Sequence, residues 1–155
     1  MTTAPATNTI SLHRVLRAPP ERVYQAFLDP AALCRWLPPY GFTGEVQHLD
    51  ARVGGTFHMS FRNFSTGSSQ GFGGEYLELE PGKRLVYTDV FDDPNMPNVM
   101  HVTVVLTPVL CGTDLQVTQA GIPGFIPPEM CYLGWQESLA MLAHLVEPSI
   151  PDGPG

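Results

Sequence analysis

Positive charge is scarce in this chain. Lysine occurs once, at Lys83, no run of Lys or Arg exists, and 8 basic residues stand against 15 acidic ones, for a formal net charge of -7. A phosphate-backbone partner needs clustered Lys and Arg, so nucleic-acid binding is not expected. Cysteine is sparse too. Cys34, Cys111 and Cys131 are odd in number, far apart and not in CxxC spacing. That pattern argues for free, mostly buried thiols in a reducing cytoplasm rather than a disulfide framework or a zinc site. No apolar run approaches the ~20 residues of a membrane-spanning helix, and the opening MTTAPATNT lacks the basic and apolar regions of a signal peptide. A cytoplasmic location without a membrane span is the expectation.

Motifs for chemistry are missing as well. His13, His48, His58, His101 and His144 form no i,i+4 pair and join no cysteine pair, so no metal ligands are assigned. GxSxG and HExxH are absent. Gly54-Gly55 and Gly73-Gly74 are not followed by a helix or by Lys-Ser/Thr, so a phosphate cradle is not indicated. Asp92-Asp93 lacks the spacing of a calcium loop. No catalytic residue and no cofactor are expected.

What is present is an ordinary globular composition, 155 residues with 43% hydrophobic and 15% charged, which suits one domain. Residues 8–148 are expected to form it, with 1–7 and 149–155 as flexible tails. The longest helical pattern is Pro127 to Glu147. On a period of 3.6, Cys131, Trp135, Leu139, Leu142 and Val146 share one line, with Glu137 and His144 opposite. Prolines suit its entry and Pro148 ends it. Leu133 and Met141 lie off the core-facing line, leaving room for a homodimer.

Earlier in the chain, Thr9 to Arg17 alternates as a strand. Two short helices follow, divided at Asp29-Pro30 and ended by Pro38-Pro39. From Phe42 to about Gly121 the period is 2, with hairpin-length turns at Gly54-Gly55 and Pro81-Gly82 and across Pro108 to Gly112. The Ser/Gly-rich stretch Ser65 to Gly74 reads as a loop. Hairpin-length connections make the sheet antiparallel, and the segregated helices make the class α+β. A twisted seven-stranded sheet curled around one long helix tends to leave a cavity between them.

Several segments carry a resemblance. APPERVYQAFLDPAALCRWLPP (18–39), ARVGGTF (51–57), GEYLELEPGKRLVYT (74–88), HVTVVLTPVLCGTDLQVTQAGIP (101–123) and GWQESLAMLAHLVE (134–147), in that order and spacing, are similar to the START/Bet v 1-like (SRPBCC) superfamily. Within it the chain resembles the branch of the activator of Hsp90 ATPase C-terminal domain. The resemblance implies a helix-grip fold with an internal apolar cavity and no fixed cofactor. It does not imply one function, since members bind lipids, hormones or polyketides, catalyse cyclisation, or only contact partners. The eukaryotic co-activators also carry a separate chaperone-docking domain ahead of this one, whereas this chain begins at the first strand, so a co-chaperone role is not the leading expectation.

The leading expectation is a small apolar or aromatic molecule bound between sheet and long helix. Candidate contacts are Trp36, Phe57, Met59, Phe61, Tyr87, Val102, Val104, Leu115, Val117, Trp135 and Leu139. Each large one has a core reading beside the binding one, because an aromatic side chain buries roughly 150–250 Å² in either setting. Tyr87 shares a strand face with Leu85 and Asp89; its hydroxyl is either a pocket's hydrogen-bonding handle or outward and solvated. Glu75, Glu78, Glu80 and Asp89 lie on strands without an assignable partner. His58 and His101 fall on the opposite faces from Met59 and Val102, outside the cavity, unless the register shifts by one. The alternatives are a cavity-based cyclase or isomerase, marked by a polar cluster with a perturbed pKa inside, and a chaperone-associated interaction module, marked by an exposed apolar patch.

Overall fold

Period-2 alternation and three proline-punctuated helical segments give ten elements, which the computed structural model describes over residues 7–153. They run β1 (Thr7–Leu16), α1 (Pro20–Leu28), α2 (Pro30–Trp36), β2 (Phe42–Leu49), β3 (Thr56–Asn63), β4 (Ser69–Glu80), β5 (Arg84–Phe91), β6 (Met100–Val109), β7 (Gly112–Pro123) and α3 (Pro128–Val146). All neighbours pair antiparallel in one seven-stranded sheet of order β1-β7-β6-β5-β4-β3-β2. The fold is the α+β helix-grip arrangement: α3 packs on the sheet beside β1, and α1 and α2 close the remaining side. Of the tails expected at 1–7 and 149–155, residues 1–6 and 154–155 lie outside the described residues, Thr7 pairs with Pro123, and 149–153 form no helix or strand.

Each helix starts where proline can occupy the first turn without losing a hydrogen bond. Asp29 does two jobs at the α1–α2 corner: its backbone N–H closes α1 on Gln25, and its side chain accepts from Ala32 N at 3.1 Å to cap α2. The corner brings Trp36 back onto α1, where its Nε1–H donates to Ala26 O at 2.9 Å and its ring meets Phe27 edge-on at 4.7 Å. Ser138 ties the far end of this pair to α3, its hydroxyl donating to Leu37 O at 2.6 Å. At the other end of α3, Arg22 Nη1 donates to Val146 O at 3.0 Å, a cation placed where the helix dipole is negative.

The glycine-rich stretch is not a loop throughout. From Ser69 onward it is strand, pairing Arg62↔Ser69, Ser60↔Gly71 and Met59↔Phe72. Its glycines clear space rather than loosen the chain. A Cβ on Gly71 would strike the Asp92 carboxylate, and one on Gly73 would strike the Phe57 carbonyl and crowd the His58 ring. Those two side chains form a 2.7 Å pair, His58 Nε2 to Asp92 Oδ2, on the outer face; His101 is exposed on that side as well. The expected Pro108–Gly112 loop shrinks to Leu110-Cys111, since β6 runs to Val109 and β7 starts at Gly112. Cys111 is therefore exposed, and Cys34 and Cys131 are only half-buried; all three are free.

Register divides the inner face into rows. One row, Leu79–Leu85–Val104–Val117–Leu12, is wholly aliphatic. Leu85, Val104 and Val117 in it have no exposed surface, and Leu139, Leu142 and Val146 from the second half of α3 join the same core. The next row, Tyr76–Tyr87–Val102–Gln119–Ile10, is aromatic and polar in its middle. Beyond it Asp89 faces Met100. The character of the interior changes between these rows. Among the described residues no helix is long and apolar enough to cross a membrane.

Candidate functional site

Where the aliphatic row ends, the sheet and the first half of α3 part to leave a cavity of about 380 Å³. Its wall takes Phe57, Met59 and Phe61 from β3, Phe72 and Tyr76 from β4, and Tyr87, Asp89 and Phe91 from β5. Gln119 of β7 and Cys131, Gly134, Trp135 and Ser138 of α3 complete the long sides, with Phe27, Leu33 and Leu37 at one end. The apolar ring contacts are direct: Phe57 meets Tyr87 edge-on at 5.6 Å and Phe61 meets Phe72 at 4.8 Å. Such edge-to-face pairs fix ring positions beyond what apolar burial alone would do.

Turn chemistry sets one wall. Gly54 adopts φ +84°, a left-handed conformation natural to glycine. Its N–H then donates to Tyr76 O at 2.8 Å, while Tyr76 N–H donates to Gly55 O at 2.9 Å. The Gly-Gly turn thus reaches across to clamp Tyr76, just before the register shift between Tyr76 and Glu78. Tyr76 is buried as a result, beside Tyr87 at a ring separation of 6.2 Å.

The wall also carries the polar side chains of Asn63, Ser68, Gln70, Gln119 and Ser138, and its one carboxyl is Asp89. Its Oδ1 is buried and has no hydrogen-bond partner. Desolvation by burial lifts its carboxyl from 3.8 to about 7, because the charged form loses water without gaining a donor. Burial holds the Tyr87 hydroxyl well above its ordinary value, with the nearby Asp89 and Tyr76 adding to the effect. The Tyr76 hydroxyl and Cys131 thiol are raised by burial too. Gln119 is already engaged: its Oε1 accepts from Trp135 Nε1 at 2.9 Å and its Nε2 donates to Met100 Sδ at 3.3 Å. No Lys, Arg or His lines the wall among the described residues, and no group of three or more His, Cys, Asp or Glu is placed there to hold a metal.

Of the residues expected at the cavity, Phe57, Met59, Phe61, Tyr87 and Trp135 line it. Trp36, Val102, Val104, Leu115, Val117 and Leu139 do not; they are buried in the core. The four strand residues face inward as the alternation requires, but into a core filled by side chains of α1, α2 and the second half of α3. Trp36 is drawn inward by its bond to Ala26. The additions include Phe72, Tyr76 and Phe91 and the polar Asp89 and Gln119; these last two interrupt an apolar inward series (Leu85, Tyr87, Asp89 and Leu115, Val117, Gln119). Outside the cavity, Phe125 is 68% exposed in the segment before α3, and Met130 and Leu133 stand exposed on its first turns.

Comparison with known proteins agrees with this architecture. The family model described as activator of Hsp90 ATPase homolog 1-like protein matches residues 17–147. Protein CV1439 of Chromobacterium violaceum is 60% identical, with TM-score 0.90, over 92% of this chain and 99% of that one. The Mll3558 protein of Rhizobium loti shares 26% identity at TM-score 0.75, over 92% of this chain and 99% of its own. A Rhodobacter sphaeroides protein at 22% identity and TM-score 0.78, covering 88% of this chain and 90% of that chain, shares the fold. No curated protein matches the chain.

Proposed function

The chain belongs to the family of activator of Hsp90 ATPase homolog 1-like proteins, and from its interior we propose that it holds one small, mostly apolar or aromatic molecule between the sheet and α3. The observation that carries the reading is a cavity of about 380 Å³ walled by aromatic rings around one unpartnered carboxyl. That volume lies within the roughly 300–1,000 Å³ of small-molecule sites, which pair apolar walls with a few polar groups for orientation. Phe57, Met59, Phe61, Tyr87 and Trp135 are the proposed apolar contacts, and Asp89 is the proposed anchor. Apolar burial at about 25 cal/mol per Å² supplies the drive.

Titration with N-phenyl-1-naphthylamine, whose emission rises in apolar surroundings, tests this. A saturable rise with one site per chain is expected, together with a change in Trp135 emission. A flat titration at every protein concentration removes the proposal.

A second reading is favoured by one observation, the Asp89 carboxyl lifted to about 7, where a side chain exchanges protons with substrate at neutral pH. In that reading the ionised Asp89 takes a proton from the carbon beside a ketone. The C–H pair becomes the C=C bond of an enolate as the carbonyl π pair moves to oxygen, and the reverse step returns to carbon a proton that the carboxyl has exchanged with solvent. Deuterium uptake by 2-tetralone in heavy water should then be faster with the wild-type chain than with Asp89→Asn. Equal rates eliminate the catalytic reading and leave binding.

A further inference from the structure

The charge pattern of the cavity names a ligand class. Asp89 is the one carboxyl on the wall, and no cationic side chain lines the wall among the described residues. Its Oδ1 is shut off from water with no donor, while the half-buried residue keeps surface on the cavity, through which a ligand's donor reaches the carboxyl. The nearest alternatives are committed elsewhere, Gln119 to Trp135 and Met100. A buried carboxyl without a donor is held against a desolvation penalty, and a ligand that brings the donor relieves it. Phe57, Phe61, Phe72, Phe91 and Trp135 surround the same space, and the face of an aromatic ring attracts organic cations. A net charge of -7 adds a long-range field of the same sign. An anionic ligand would meet Asp89 with no counter-charge.

We infer that the cavity selects a protonated organic amine, its ammonium group hydrogen-bonded to Asp89 and its apolar body held among the aromatic rings. This deepens the binding reading above and rests on it.

The pH dependence follows from the groups that face Asp89. These are Tyr87 on its own strand, Tyr76 on β4 and Cys131 on α3; Met100 and Gln119, from β6 and β7, do not titrate. Burial raises both hydroxyls and the thiol, so they stay neutral near neutral pH. Asp89, at about 7, is the group that changes charge. Amine affinity should therefore rise with pH as the carboxyl ionises, while the affinity of a neutral ligand stays level.

The test is calorimetric titration of three probes of one shape: 1-naphthylmethylamine, 1-naphthylmethanol and 1-naphthoic acid. At about pH 8 the amine should bind tighter than the alcohol by about tenfold or more, and the acid weakest. Lowering the pH to about 6 should erode the amine's advantage. In Asp89→Asn that advantage should vanish, leaving the amine no tighter than the alcohol. The probe ranking on the wild-type chain decides even if the variant folds poorly. An alcohol that equals the amine, or an acid that binds best, overturns the amine class and leaves the binding proposal standing. No binding by any probe brings down both.

Discussion

Gly134 gives the sharpest handle on whether the space beside α3 is open. It sits inside the helix, lines the cavity, and a Cβ added there would meet nothing within 4 Å. Its φ is not positive, so alanine enters without backbone strain. The helix-propensity difference alone predicts that Gly134→Ala gains about 0.8–1.0 kcal/mol. For a chain of this length that raises the melting temperature by roughly 2–4 °C. The bond from the Ser138 hydroxyl to Gly134 O, 2.9 Å, involves only backbone at 134 and survives. Gly134→Leu extends the same argument. The isobutyl group enters the cavity and gains part of the roughly 1.5–3 kcal/mol available for burying a leucine side chain, so this variant should be at least as stable as the alanine one. It also removes volume that a ligand needs, and binding of N-phenyl-1-naphthylamine should weaken about tenfold or more. Thermal unfolding followed by circular dichroism, with the fluorescence titration beside it, reads both quantities. A Gly134→Leu chain destabilised by about 1–3 kcal/mol, the mark of overpacking, would refute the claim that the wall is open. A stable one that binds the probe at wild-type strength would refute the claim that the probe sits there.

Other expectations follow the same geometry. Asp89 has a folded value of about 7 against 3.8 for the ordinary group, so the folded chain holds a proton that the unfolded chain has released. Stability therefore falls as pH rises from about 4 to 7, by roughly 4 kcal/mol at the upper bound; Asp89→Asn should lack this slope in urea melts, and an unchanged slope would contradict the burial of the carboxyl. Gly74→Ala places a methyl group against the Thr88 carbonyl oxygen of the adjoining strand and should lose about 1–3 kcal/mol, measured by chemical denaturation. The two tryptophans should separate stability from binding. Trp36→Phe leaves the Ala26 carbonyl unpaired, costing about 1–3 kcal/mol with probe affinity unchanged, whereas Trp135→Phe should weaken the probe and shift unfolding less.

The fold was readable because its signals are local. Strand alternation, prolines at three helix starts and short turns each act within a few residues, and β5 and β3 fall where the pattern puts them. The Ser69–Gly74 strand is hidden in the sequence because its Ser/Gly composition is also that of a loop. Only the cross-strand partners explain its glycines: the His58–Asp92 pair needs the room that Gly71 and Gly73 leave. Cys111 escaped for a related reason, as its exposure depends on how tightly the β6–β7 hairpin turns. Neither is visible to a reading of one strand at a time.

A cavity between sheet and helix was legible, but its extent was not. Alternation tells which face of a strand points inward, and Val102, Val104, Leu115 and Val117 do point inward. It says nothing about depth along the strand, and these four join the core that Val23, Phe27 and Trp36 share with Leu139, Leu142 and Val146. Yet the sequence does hold a mark of depth. Two inward series end on a polar residue where the pattern calls for an apolar one, Leu85-Tyr87-Asp89 and Leu115-Val117-Gln119, and both breaks lie on the cavity wall. A core position that tolerates a carboxyl without a donor is inconsistent with a filled interior, since the unpaired group would be selected against on stability alone. The break in pattern therefore locates the space, and the type of residue at the break describes what the space is suited to receive. At Gln119 the break is closed internally by Trp135 and Met100. At Asp89 it is left open, and the open one is where a ligand's donor belongs.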